Sequence, residues 1–399
     1  MTQQPPDRNS KARLAIPQSE YAERLRKVQE AMEEARLDVL VTHACECESA
    51  NVRYLSNFWA VFDFAGVIVP RKGDAVLLTG GPESYEFARQ FSRIADVRVH
   101  PLYVETSAPV WDKPTDPVDF AALLGEWRAR FPIARIGVAN SNILPAAIEA
   151  DLREGAKGAE LVPADGLMMK LRLIKSAGEI ALLKEAYRIT QAACAKAVEA
   201  VRPGAAEWEI EAAWRAEAYR LGAEGTSYPI WVTSGPNTYQ SLCRSTDRQI
   251  GENDMVQLTF GAKYNGYCGN ICRPVALGKI PDRHAQMRDI ALEALHEAIA
   301  DIRPGAPFAL AYDHFHRRLS DNGFANLALY GPAHGTGMQE CEGPWVDNRT
   351  DAVFRENMVL NVDIWIADGE FGVRYEDGLA VGPNGSERLT RPPDGHISL

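Results

Sequence analysis

The stretch GPAHGTGMQECEGP, Gly331 to Pro344, sets a histidine among residues small enough to let other groups approach it closely. Neutral imidazole is the natural base near pH 7, so His334 is the leading candidate for proton transfer. Glu342, just before Gly343-Pro344, could act as a second base or orient the imidazole. A thiol close to His334, Cys341 or Cys243, could form a Cys/His pair. In GVRYEDGLAV, Arg374 and Glu376 are two residues apart and Asp377 follows at once. On a strand, the first two share a face and Asp377 turns to the other. Arg244 and Arg374 are candidate anchors for a substrate carboxylate, which a guanidinium fork pairs bidentately. Tyr228, Trp231 and Tyr239 surround the turn SGPNT, where an aromatic wall could stack on a planar or cationic substrate. Cys268, Asn270 and Cys272 alternate along a hairpin-like stretch, so period two places all three on one face. Each has a plainer reading: a buried structural histidine, a solvated glutamate, a surface ion pair, core aromatics, small apolar thiols.

These groups need a scaffold, and the chain offers two. After a polar, Pro-containing tail over residues 1–17, YAERLRKVQEAMEEARLD reads as an amphipathic helix with Tyr21, Leu25, Val28 and Met32 on one side. The β-rich runs VLVTH, AGVIVP and DAVLLTG and the helical SYEFARQFSRIA then alternate, as in a smaller α/β domain over residues 18–168. A second domain, 169–399, follows, and Ser176 with Glu179 forms a capping box at the start of a long helix. Within it, Arg202-Pro203-Gly204-Ala205 and Arg303-Pro304-Gly305-Ala306 each break a helix, precede another, and are followed by β-rich sequence. Matched flanks predict a duplicated αα/ββ unit with a site between its halves.

Composition excludes several partners. The chain has 399 residues, 46% hydrophobic and 24% charged, with a net charge of −11, which suits a soluble globular protein and opposes a nucleic-acid surface. No apolar run is long enough to cross a membrane, and Pro and charges stand where a signal peptide needs an apolar core; a cytoplasmic protein is expected. The seven cysteines form no disulfide framework.

The ordered segments KSAGEIALLKEA, VTSGPNT, QLTFGAKYNGYCGNICRP, GPAHGTGMQECEGP, ENMVLNVDIWI and GVRYEDGLAV resemble the pita-bread family of creatinase, aminopeptidase P and methionine aminopeptidase. NVRYLSNF is similar to the N-terminal domain of the creatinase and aminopeptidase P branch. The resemblance implies a fold of class α/β (α+β), a pita-bread domain with internal pseudo-duplication behind a smaller α/β domain. It also implies a homodimer, because the aromatic-rich HACECESANVRYLSNF and FWAVFDF region reaches the partner's site in that branch.

In the metallopeptidases of this family five side chains hold two metal ions, and the matching positions here are Thr259, Asn270, His334, Asp363 and Glu376. Two expected carboxylates are thus a Thr and an Asn, and two shuttle histidines are replaced, one by Cys341 and one at Leu242 in the segment running on to Arg244. Two divalent ions would bring four positive charges against two negative ones. The resulting expectation is a metal-independent, creatinase-like hydrolase cleaving a carbon–nitrogen bond of a small polar or zwitterionic molecule, with no cofactor. His334, Glu376, Asp363 and Glu342 would be catalytic; Thr259, Asn270, Arg374, Arg244, Cys341, Tyr239 and Tyr228 would bind substrate. The alternatives are a metal-dependent Xaa-Pro aminopeptidase-like hydrolase with one divalent ion on His334, Asp363 and Glu376, a carbon–sulfur or carbon–nitrogen lyase, and a non-catalytic binding homologue.

Overall fold

A computed structural model describes residues 13–105, 107–111, 116–391 and 396–399. Most of the expected N-terminal tail, residues 1–12, lies outside the described residues. The chain divides into two compact units, one of Pro17–Ile174 that also takes in Cys341–Pro344, the other formed by the remainder.

The N-terminal unit contains α1 (Gln18–Glu34), β1 (Val39–Ala44), α2 (Ala50–Ser56), β2 (Ala65–Pro70), β3 (Val76–Thr79), α3 (Pro82–Phe91), β4 (Asp96–Val99), α4 (Phe120–Arg128), β5 (Arg135–Ala139), α5 (Ala146–Ala156), β6 (Glu160–Pro163) and α6 (Asp165–Leu173). Its six strands run in the order β4-β3-β2-β1-β5-β6. β1, β2 and β3 are buried throughout, as expected of apolar runs covered on both faces. One face of α1 differs from the helical-wheel expectation. Tyr21, Val28 and Met32 are buried, but Arg24 takes the buried place expected for Leu25. Arg24 donates to the Tyr54 carbonyl at 2.9 Å and lies 4.1 Å over the Tyr54 ring, so its charge is satisfied while its stem packs.

In the C-terminal unit the capping box of Ser176 and Glu179 opens α7 (Ala177–Ala200), which leads to α8 (Glu207–Arg220). Next along the chain come β7 (Gly225–Thr226), β8 (Trp231–Ser234), β9 (Met255–Tyr264), β10 (Tyr267–Ala276), α9 (Asp282–Asp301), α10 (Phe308–Asp321), β11 (Ala333–Gly335), β12 (Glu342–Trp345), which lies mostly in the Cys341–Pro344 segment of the N-terminal unit, β13 (Val359–Ala367), β14 (Gly372–Gly382), β15 (Gly385–Arg388) and β16 (Ile397–Ser398). The sheet path β11-β13-β14-β10-β9-β7 puts the two long hairpins side by side. The duplication reaches the backbone hydrogen bonds. Gly204 and Gly305 turn with φ of 80° and 81°, and each N–H donates at 2.8 Å, to the Ile250 and Phe354 carbonyls respectively. A positive φ is strained for residues with a Cβ, which explains glycine at both breaks. The chain is thus a mixed α/β protein in which two αα/ββ repeats join their sheets.

Candidate active site

The central seam, where β10 meets β14 and β14 meets β13, collects the polar side chains. Pairing sets Cys272 opposite Glu376, Asp363 opposite Glu376, and His334 opposite Asn361. Residues directly opposite in an antiparallel pair face the same way, so one face carries Asn270, Cys272, Glu376, Asp363 and His334. Thr259, Asn270, His334, Asp363 and Glu376 are all buried in the C-terminal unit.

His334 Nε2 lies 3.7 Å from Glu340 Oε1 and 4.0 Å from Glu376 Oε1, and its Nδ1 sits 2.9 Å from the Gly335 carbonyl. That carbonyl can accept only from a protonated Nδ1, so in the neutral imidazole Nε2 is the lone-pair nitrogen facing the carboxylates. Glu376 Oε2 accepts from the Cys272 thiol at 3.1 Å, while Oε1 has no hydrogen-bond partner among the described residues. Burial drives the Glu376 carboxyl well above the usual range, with Asp363 pushing the same way, Arg374 opposing, and Glu340 adding to the rise. Burial and Glu376 likewise raise the Cys272 thiol, so it serves as a donor rather than a thiolate.

Close by, Ser227 Oγ, Tyr228 OH, Thr259 Oγ1 and Asn270 Oδ1 are buried with no partner among the described residues. A Cβ on Gly261 would stand 1.9 Å from Ser227 Oγ and 2.4 Å from Asn270 Oδ1, so glycine there lets the two oxygens converge. Burial raises Tyr228 well above its ordinary value, followed by Cys272 and Glu376, which places its phenol in the electrostatic reach of the cluster. Tyr187 is a residue that sequence reasoning missed: its ring passes where a Cβ on Gly378 would lie at 2.2 Å, and its hydroxyl donates to Asn361.

Several expectations change. Asp363 does not wait for a substrate cation: Arg374 Nε and Nη2 grip its two oxygens at 2.7 and 2.6 Å, and Tyr330 donates to it at 2.9 Å. The same fork removes the Nε/Nη2 edge of Arg374 from the role of carboxylate anchor. Glu342 pairs with Arg172 within the N-terminal unit, and Cys341 belongs to that unit too. The carboxylate beside His334 in the C-terminal unit is instead Glu340, which the sequence reading did not single out; its only signal was an acid six residues past the histidine. Arg244 is exposed and donates to the neighbouring Cys243 carbonyl. Tyr239 is exposed and lines a groove with Pro236, His284 and Phe371, a lining that includes none of His334, Glu340 or Glu376. Cys243 donates to Gln240 and joins no histidine among the described contacts.

His334, Glu340 and Glu376 present ligand atoms within 4.8 Å of one another. An imidazole nitrogen and two carboxylates, of which Glu376 keeps an orphaned oxygen, form a donor set suited to one divalent ion. The ligand triad differs from the expected single-metal one by having Glu340 where Asp363 was placed.

Comparison with known proteins agrees with this chemistry. Residues 181–383 match Metallopeptidase family M24, and residues 24–174 match the Creatinase/Prolidase N-terminal domain. An uncharacterized peptidase of Bacillus subtilis, YqhT, is 33% identical over 276 residues, covering 67% of this chain and 76% of its own. A Xaa-Pro dipeptidase of Pyrococcus horikoshii is 26% identical over 372 residues, 92% of this chain and 97% of the relative. The solved Xaa-Pro dipeptidase from Bacillus anthracis superposes with a TM-score of 0.80 at 26% identity, covering 95% of this chain and all of that one. The match to a metallopeptidase family overturns the expectation of a metal-independent, cofactor-free, creatinase-like enzyme. The broader expectation, a hydrolase acting on carbon–nitrogen bonds, stands. Among the described residues no helix is long and apolar enough to cross a membrane.

Proposed function

Since the chain belongs to metallopeptidase family M24, we propose that it is a metal-dependent peptidase of small peptides, with Xaa-Pro dipeptides as its substrates, working at the His334–Glu340–Glu376 cluster. Support for the substrate comes from the relatives named Xaa-Pro dipeptidases, one of which spans nearly the whole chain. The observation that carries the metal is the buried Glu376 Oε1, which has no hydrogen-bond partner among the described residues and stands 4.0 Å from His334 Nε2. A buried carboxyl oxygen without a donor costs several kcal/mol unless a cation or proton meets it.

A divalent ion held by these three side chains would polarise a peptide carbonyl and activate water. The chain's own residues supply the rest. Cys272 fixes one oxygen of Glu376 and so aims the other toward His334. Asn270 reaches the Glu340 carbonyl with Nδ2 at 3.4 Å, tying β10 to the loop that carries Glu340. Tyr228 offers a phenol whose raised value keeps it a donor at neutral pH. Trp345 packs 5.0 Å from the His334 ring and restricts water on that side. Gln257 grips the Arg374 backbone at both its N–H and carbonyl, at 2.9 and 2.8 Å, holding the approach to Glu376 in register.

Protein loaded with Mn²⁺, Co²⁺ or Zn²⁺ should release proline from Xaa-Pro dipeptides and lose that activity on chelation, with recovery on adding the ion back. Undiminished hydrolysis after exhaustive chelation, or no hydrolysis of any Xaa-Pro dipeptide by ion-loaded protein, would overturn the reading. A homodimer is part of the same proposal, supported by the N-terminal resemblance; a monomeric mass by light scattering would remove it.

A further inference from the structure

We propose that Cys45 and Cys47 form a redox-exchangeable dithiol in the N-terminal unit, which closes to an intrachain disulfide by exchange with a small-molecule disulfide of the glutathione type and is reopened by the matching thiol. Neither sulfur belongs to the His334–Glu340–Glu376 cluster, so the dithiol stands or falls independently of the proposed function. Period two along an extended chain points residues 45 and 47 the same way, and the turn after β1 curls them together. Cys45 N–H donates to the Glu48 carbonyl and Glu48 N–H to the Cys45 carbonyl, both at 3.2 Å. Glu46 and Cys47 thus make the corner of a two-residue loop. Cys45 Sγ and Cys47 Sγ stand 3.1 Å apart. A further approach of about 1 Å brings them to the length of a disulfide bond. Access favours the same pair: of the seven cysteines Cys47 alone is exposed, Cys45 is half-buried, and Cys194, Cys268 and Cys272 are buried.

The hydrogen bond with Cys45 raises the Cys47 thiol, with burial adding to the rise, so Cys47 keeps its proton and donates it to the Cys45 sulfur. Cys45, as thiolate, attacks one sulfur of the small disulfide, whose S–S bond breaks and releases one thiolate. Cys47, on losing its proton, then attacks Cys45 Sγ, the mixed bond breaks, and the second thiolate leaves. Two protein thiols are oxidised, one disulfide is reduced to two thiols, and the two protons lost by the protein go to the leaving groups. The bridge links residues only two apart, so it removes little entropy from the unfolded chain and is exchangeable rather than structural. A metal is a poorer occupant of this turn. Two sulfurs on one tetrahedral Zn²⁺ stand roughly 3.8 Å apart, and among the described residues these thiols join no cluster of three ligating side chains.

Full-length protein incubated at neutral pH over a series of reduced-to-oxidised glutathione ratios, quenched with acid and read by peptide mass spectrometry, tests this directly. The peptide carrying residues 45–47 should lose the mass of two hydrogens as the ratio turns oxidising and regain it when reduced glutathione is added back. Cys45→Ser and Cys47→Ser remove the closing step. Each should accumulate a glutathione adduct on the remaining cysteine of the pair, roughly tenfold or more above the adduct trapped there in the native chain. A native peptide that stays reduced at every ratio, one that stops at a glutathione adduct without closing, or a bridge from either residue to a third cysteine would each overturn the proposal. If Cys45→Ser does not fold, the native chain and Cys47→Ser, altered at an exposed position, decide it.

Discussion

Glu376 and Asp377 are neighbours on β14, both buried, and they live in opposite electrostatic worlds. Asp377 is saturated: Arg273 and Arg388 pair with it and Thr390 donates at 2.6 Å. Glu376 has one thiol donor, one orphaned oxygen, and like charges close enough to raise its carboxyl well above the ordinary range, after burial itself. The strand's period of two separates a carboxylate whose surroundings are complete from one whose surroundings require something more. Burial alone does not mark function; an incomplete shell among convergent donors does.

The strongest way to break the comparison is Asp377→Ala. It leaves Arg273 buried against a lost partner, and about 3–5 kcal/mol of stability should disappear. Urea unfolding should show the drop, while the ion content per folded chain stays unchanged; altered ion binding would dissolve the distinction between the faces. Glu376→Gln should do the opposite. Ion binding and dipeptide hydrolysis should fall by roughly 10²–10³-fold, with the melting temperature unchanged or raised, because a costly buried carboxyl becomes a neutral amide. A Glu376→Gln protein that unfolds yet, when folded, retains its ion would show the two residues to be alike.

The comparison also explains what could be read from the sequence. The capping box, the paired R-P-G-A breaks and the alternation that turns Glu376 and Asp377 apart depend on local spacing, and the structure contains each. Glu340 did not come from spacing because its approach to His334 depends on the course of a loop, in which Gly337 N–H donates to the Gln339 carbonyl. The Arg374–Asp363 pair required knowing that β13 and β14 set Asp363 against Glu376. Its consequence, a carboxylate already neutralised, is a three-dimensional fact. What overturns the expectation of metal independence is the match to a metallopeptidase family; the charge count behind it had taken Asp363, already paired with Arg374, and had left out Glu340.

An isolated orphan sharpens the contrast. His43 on β1 is fully buried, and neither ring nitrogen has a hydrogen-bond partner among the described residues. The Phe64 and Tyr103 rings pack against it, and burial lowers it to about 4. The unfolded chain takes up this proton near pH 6.5 and the folded chain only near 4, so stability is full above 6.5 and is lost as pH falls through that window. The loss amounts to about 3 kcal/mol. His43→Phe should flatten that part of the stability–pH curve while dipeptide hydrolysis at pH 7.5 stays the same. A mutant curve parallel to the native one would assign the titration elsewhere.

Thr259 supplies the finest test, because it is orphaned like Glu376 but carries no charge. Its hydroxyl is buried on β9, and its position is one that the family resemblance assigns to a ligand. If incompleteness at this seam serves the ion only through charged donors, the hydroxyl contributes desolvation cost and nothing else. Thr259→Val keeps the shape, removes the unpaired oxygen, and should leave stability unchanged or raise it by up to about 1 kcal/mol. The ion's Kd should stay within about threefold. A loss of roughly tenfold or more in ion affinity would place the hydroxyl in the ion's coordination, and neutral oxygens would then have to be counted with the carboxylates in deciding what this seam can hold.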